Sequence, residues 1–232
     1  MERRLPGERW PAVLVILGLA SAACVALVVL RVFSTRQPDF AFLVWNLVLA
    51  WVPFVLAIAV YGGYRHGAHG GYLLALSVLW LLFLPNAPYI VTDFVHLQYA
   101  TGVPRWFDAL AVGAYAATGL LLGFASLYLM QAVAARTIGV RLTWWWVVAV
   151  LCLSSVGIYL GRYQRLNSWD VVRQPRRIID MVQERLQAPF ANETLLVVTL
   201  LFSLSLTAAY VLLYTVVLPR MDFRRGRFRD EF

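Results

Sequence analysis

The 232-residue sequence predicts an all-α integral membrane bundle of six transmembrane helices. Three observations carry that prediction. The composition is displaced toward lipid: 61% of residues are hydrophobic and 14% charged, against about 45–50% and about 25% in a soluble domain. Six stretches carry neither a charged residue nor His, and each is at least 20 residues long. That length crosses a hydrocarbon core of about 30 Å as a helix. The 20 basic residues are all Arg and punctuate these stretches instead of forming one face, the pattern of a multi-spanning chain. Despite a net charge of +8, this excludes a water-soluble enzyme, a disordered regulator and a nucleic-acid-binding domain. Membrane lipids are the expected surroundings, and nucleic acid is not an expected partner.

In chain order the spans fall at about 10–30, 40–62, 72–92, 109–135, 142–161 and 194–219, one domain over residues 1–232. Backbone groups in lipid must be satisfied within the segment, which favours helices; a β-barrel would show short alternating stretches instead. The first span follows a basic segment, Met1 to Arg9, and contains small residues from Leu19 to Cys24. Those are signal-peptide features. The apolar run nevertheless continues through Val28, Val29 and Leu30, too long for a signal core, so an uncleaved helix is expected. In the third span Pro85 and Pro88 lack backbone N–H groups and disfavour helical geometry in the residues before them. A kink or break between Leu84 and Pro88 follows, with Asn86 inside it. Cys24 and Cys152 lie within spans and read as packing residues. Between the fifth and sixth spans, residues 162–193 form the one long loop. There Pro175 can open a helix, Ile178, Val182 and Leu186 recur at i, i+4 and i+8, and Pro189 stops it. This predicts a short amphipathic helix on the membrane surface. No internal repeat supports an inverted-repeat transporter.

Orientation follows from Arg. With the N-terminus inside, eleven Arg fall inside and nine outside, six of the nine within the long loop. Five Arg in the last thirteen residues support cytoplasmic placement of both termini.

The polar residues that lipid disfavours are few. Asn46 lies about two turns into the second span. Asn86 sits at the Pro break, and Asp93 and His96 follow at i, i+3, one helical face. The fifth span ends with Arg162 and Arg165, then Asn167, Ser168 and Asp170. Each has an ordinary reading alone: helix–helix glue, a satisfied kink, snorkelling Arg, or a helix cap. Antiparallel spans, however, place the start of the second and the ends of the third and fifth on one side, extracytoplasmic with the N-terminus inside. The eight residues Asn46, Asn86, Asp93, His96, Arg162, Arg165, Asn167 and Asp170 are therefore expected to converge. His66 and His69 lie on the opposite side and read as a solvated loop.

Leu84-Pro85-Asn86-Ala87-Pro88-Tyr89-Ile90-Val91-Thr92-Asp93-Phe94-Val95-His96-Leu97, Trp45-Asn46-Leu47-Val48-Leu49-Ala50-Trp51, and Gly157-Ile158-Tyr159-Leu160-Gly161-Arg162 with Asn167-Ser168-Trp169-Asp170 carry a resemblance. Over roughly residues 40–215 the chain resembles the domain of unknown function 1361 family of bacterial membrane proteins. The resemblance implies a multi-pass protein of a bacterial membrane and brings no activity with it.

Two functional readings stay open. In the first, a membrane enzyme acts on a lipid or lipid-linked anionic substrate. Asp93 and His96 supply acid/base chemistry, Arg162 and Arg165 hold the anion, and Asn46, Asn86, Asn167 and Asp170 complete the site. In the second, a non-catalytic transport component or scaffold uses the same cluster as structural glue. A metal on Asp93, His96 and Asp170 is a poor fit to zinc, with one His among the ligands, so no metal or cofactor is expected.

Overall fold

The structure is a computed structural model and describes residues 10–99, 102–176, 180, 183 and 192–216. Its elements are α1 (Trp10–Thr35), α2 (Phe42–Arg65), α3 (Gly70–Phe83), α4 (Asn86–Tyr89), a 3₁₀ segment (Ile90–Tyr99), α5 (Arg105–Thr137), α6 (Val140–Tyr163), α7 (Asp170–Arg173) and α8 (Glu193–Val216). Among the described residues there is no strand. Six helical stretches are long and apolar enough to cross a membrane, the third running from Gly70 to Gln98 across α3, α4 and the 3₁₀ segment. Ile178, Val182 and Leu186 of the expected surface helix lie outside the described residues.

α5 is the central post. Its most apolar window is 61% buried, against 17% for α1 and for α8. Lipid tails are as apolar as Leu, so helices in a membrane gain little by hiding apolar faces from each other; close packing and polar contacts must hold them. α5 supplies such contacts along its length. Asp108 meets Arg31 of α1 at 2.7 Å, and Thr118 meets the Cys24 thiol at 3.4 Å. Trp80 Nε1 of α3 donates to Ser126 at 3.2 Å, and the Tyr210 hydroxyl of α8 donates to Gln131 at 2.5 Å. A further bond, Trp51 Nε1 to Ser21 at 3.1 Å, joins α2 to α1.

α1 does not stop at Arg31 but continues to Thr35. Arg31 and Asp108 are both fully buried. The guanidinium grips the carboxylate through Nε at 2.7 Å and Nη2 at 3.4 Å, reaches Asp39 at 3.5 Å, and lies 4.4 Å from the Phe40 ring centroid. A charge that ends an apolar window is thus neutralised inside the bundle.

The expected disturbance of the third span is present but slight. Leu84 and Pro85 keep right-handed helical dihedrals, at φ −53°, ψ −41° and φ −57°, ψ −26°. Leu84 was expected to leave that region because it precedes proline; here the packing around it prevails. The hydrogen bonds change instead. Ala87 N–H bonds Leu84 O three residues back, at 3.1 Å, before Tyr89 N–H resumes the four-residue spacing to Pro85 O at 3.0 Å. Two glycine pairs bring the backbone this close. On α6, a methyl at Gly157 would stand 2.5 Å from Pro85 Cγ, and one at Gly161 3.1 Å from the Tyr89 ring. On α5, a methyl at Gly119 would stand 2.6 Å from the Ala87 carbonyl oxygen, and one at Gly123 3.0 Å from Ala87 Cβ. Each pair is spaced by four, so both faces are small-xxx-small contacts.

Gly157→Ala should therefore destabilise the protein by about 1–3 kcal/mol through overpacking. Gly18→Ala, with nothing within 4 Å of the added methyl, should be neutral or slightly stabilising, because Ala is the better helix former. Thermal unfolding in detergent reads both. In the same assay Arg31→Met, which leaves Asp108 buried and unpaired, should cost about 3–5 kcal/mol, and Arg31→Met with Asp108→Leu should recover most of it.

Candidate functional site

The end of the bundle where α1 and α6 finish and α2 and α5 begin gathers the polar residues of the third span. The 3₁₀ segment arranges them. With three residues per turn, i and i+3 eclipse, so Ile90, Asp93 and His96 stand above one another. Ile90 and Asp93 are buried, while the His96 side chain stays 39% exposed. The buried Asp93 carboxylate is held from two other helices. Asn46 Nδ2 of α2 donates to its Oδ2 at 2.8 Å, and Arg162 Nη1 of α6 lies 3.5 Å from its Oδ1. The same Arg162 nitrogen is 3.4 Å from His96 Nε2, and that imidazole nitrogen is 3.9 Å from Asp93 Oδ1. The His96 ring leans on Phe42, centroids 4.8 Å apart.

Arginine can only donate, so His96 Nε2 acts as the acceptor there. Asn46, Asp93, His96 and Arg162 thus form one continuous group drawn from three spans. The widest sequence separation in it, between Asn46 and Arg162, exceeds one hundred residues.

The other candidates form a second group, lower on the third span. The altered hydrogen bonding near Pro85 leaves carbonyls to be satisfied, and polar side chains take them. Asn86 Nδ2 donates to Phe83 O at 2.9 Å and to Ser168 Oγ at 3.0 Å, while Ser168 Oγ donates to Leu82 O at 3.1 Å. Asn86 therefore repairs the proline disturbance and latches the chain after α6 to it. Asp170 accepts from Asn167 N–H at 2.7 Å and lies 3.4 Å from Asn167 Nδ2, closing the turn that precedes α7. Arg165 is exposed, with φ +54°, a left-handed conformation rare for a side chain of its size.

The eight expected residues thus divide: Asn46, Asp93, His96 and Arg162 meet, Asn167 and Asp170 build a turn that Ser168 latches to Asn86, and Arg165 stands exposed. Among the described residues no three His, Cys, Asp or Glu side chains are grouped to hold a metal ion; Asp170 belongs to the turn, away from the Asp93 contacts. Sequence reasoning passed over Arg31 and Asp108, which it used as window boundaries. The available signal was an unmatched charge at the end of each window.

The division has a measurable consequence. Asn86→Ala and Ser168→Ala should show a coupling energy of about 0.5–1.5 kcal/mol in a double-mutant cycle, the range of one hydrogen bond. Either should combine with Asn46→Ala additively to within about 0.5 kcal/mol. Chemical or thermal unfolding in detergent gives all the required values.

Comparison with known proteins adds one finding. A family model described as a protein of unknown function (DUF1361) matches residues 45–208. That interval contains both polar groups and both glycine pairs. No curated protein matches the chain, and no solved structure matches it.

Proposed function

Since the chain belongs to the DUF1361 family, whose description brings no activity, we propose from its own geometry that it is a membrane protein that binds an anionic headgroup. The setting is a bacterial cytoplasmic membrane with both termini cytoplasmic, which places the Asp93 group at the extracytoplasmic leaflet. The bound group is the phosphate, or a similar anion, of a lipid or lipid-linked molecule. One observation carries the reading. Arg162 is anchored through Nη1 to Asp93 and His96 while its side chain remains 22% exposed. Guanidinium offers five N–H donors in a rigid fork, and no described side chain accepts from Arg162 Nε or Nη2. In this reading those donors take the incoming anion, and the exposed Arg165 adds a second cation nearby in sequence.

Recognition fits better than catalysis. The Asp93 side chain is 2% exposed, with Asn46 on one oxygen and Arg162 on the other, so it orients Arg162 and touches no substrate. His96 offers only Nδ1 to an incoming group, because Nε2 faces Arg162.

The test is lipid retention by native mass spectrometry after reconstitution with equal phosphatidylglycerol and phosphatidylcholine. The expected result is selective retention of phosphatidylglycerol, reduced about tenfold in Arg162→Ala, the loss of one charge-assisted contact of about 1.4 kcal/mol. Inorganic phosphate added in excess distinguishes a site that reads phosphate alone from one that needs the lipid. Equal retention of both lipids by the wild-type protein would defeat the proposal.

A further inference from the structure

The chain leaving α6 folds back along the bundle. Heights along the bundle follow from the contacts between the third span and α6, which run in the same direction. Pro85 lies against Gly157 and Tyr89 against Gly161. Ser168, six residues beyond Arg162, bonds the Leu82 carbonyl and the Asn86 amide. It therefore stands near the level of Gly157. Five helical residues separate Gly157 from Arg162, so the chain has come back down by roughly 7–8 Å. Leu166 N–H bonds Leu160 O at 3.2 Å on the way, which turns the strand of chain back along α6. The left-handed Arg165 makes that reversal.

This return enters the depth of the uncharged windows, where neighbouring chain is lipid-facing: Leu153 of α6 is 54% exposed. Yet Gln164 to Trp169 is not helical, and Arg165, Asn167, Arg173 and Gln174 are exposed. Irregular backbone at membrane depth persists only where protein buries it or water reaches it. Charged side chains in lipid would be costly. We propose that Gln164–Gln174 is a re-entrant segment lining a water-filled vestibule that descends from the Arg162 end of the bundle to the level of Asn86 and favours small anions.

The charge balance supports the anion preference. Arg165 and Arg173 are exposed, whereas Asp170, the acidic residue within the segment, is buried and held by its own turn. A recess with low-dielectric walls focuses such a field. The proposal does not rest on headgroup binding at Arg162; it concerns the floor beneath that residue.

The experiment uses the full chain in zwitterionic nanodiscs, where both faces are accessible, with Cys24→Ala and Cys152→Ala as background. Asn86→Cys with Ser168→Cys tests the return: a disulfide should form under mild oxidation, and its absence would overturn re-entry. Asn167→Cys tests water. It should react with a membrane-impermeant anionic thiosulfonate at a rate within about tenfold of Arg36→Cys, an exposed loop position at the same end. Leu153→Cys should be at least a hundredfold slower. Asn167→Cys as slow as Leu153→Cys would place the segment against lipid and overturn the vestibule, and Arg173→Cys repeats that measurement should the first variant fold poorly. An anionic reagent should outpace a cationic one at Asn167→Cys, and the reverse order would overturn the anion preference.

Discussion

The Ala87 carbonyl lies so close to Gly119 of α5, and the Pro85 ring so close to Gly157 of α6, that a methyl on either glycine would overlap its neighbour. Much of the polar end follows from this close approach. It holds Leu84 and Pro85 in helical geometry where proline alone would favour extension. It also sets the register of the third span against α6, so that Arg162 comes within reach of Asp93 and His96. Beyond the clamp the chain relaxes into a ten-residue 3₁₀ segment, an unusual length for that geometry. The eclipsed spacing of that segment stacks Asp93 and His96 on one face.

Polar contacts then fix the remaining helices to the same frame. α1 and α8 bury little of themselves, and each is tied to α5 by polar side chains at defined heights. The Arg31–Asp108 pair is the strongest of these, with both partners sealed from solvent. In a bundle where apolar contact with lipid competes equally with apolar contact between helices, such bonds select one arrangement among many of similar packing. Breaking one member of the pair costs more than replacing both, because the loss is an uncompensated buried charge.

The polar end also separates roles that share residue types. Asn46 and Asn86 are both amides within apolar spans, yet one orients a carboxylate and the other repairs helix carbonyls. Asp93 and Asp170 are both acids near helix ends, yet one anchors an Arg from a distant span and the other closes a local turn. Asp93 and Asp170 are held by neighbouring groups while Arg162 stays part-exposed and Arg165 exposed, which is the physical basis for reading this end as an anion site.

The six spans were legible in the sequence because crossing a membrane is a one-dimensional requirement: enough consecutive apolar residues, interrupted by charge. The anomalous residues Asn46, Asp93, His96 and Arg162 were legible too, since polar groups are costly within lipid and alternating spans assign them to one side. The disturbance at Pro85 was visible from missing donors, but its small size was not, because that depends on glycines 34 and 72 residues further along the chain. Tertiary structure alone decided that Arg31 and Asp108 lie inside, since a charge marks a boundary only until a partner removes it. It alone split the eight polar residues into two groups, for the direction in which the chain turns after Tyr163 is set by one left-handed residue and one latch. Sequence spacing carries helical periodicity and length; it carries no information on which of two neighbouring carbonyls a distant hydroxyl will reach.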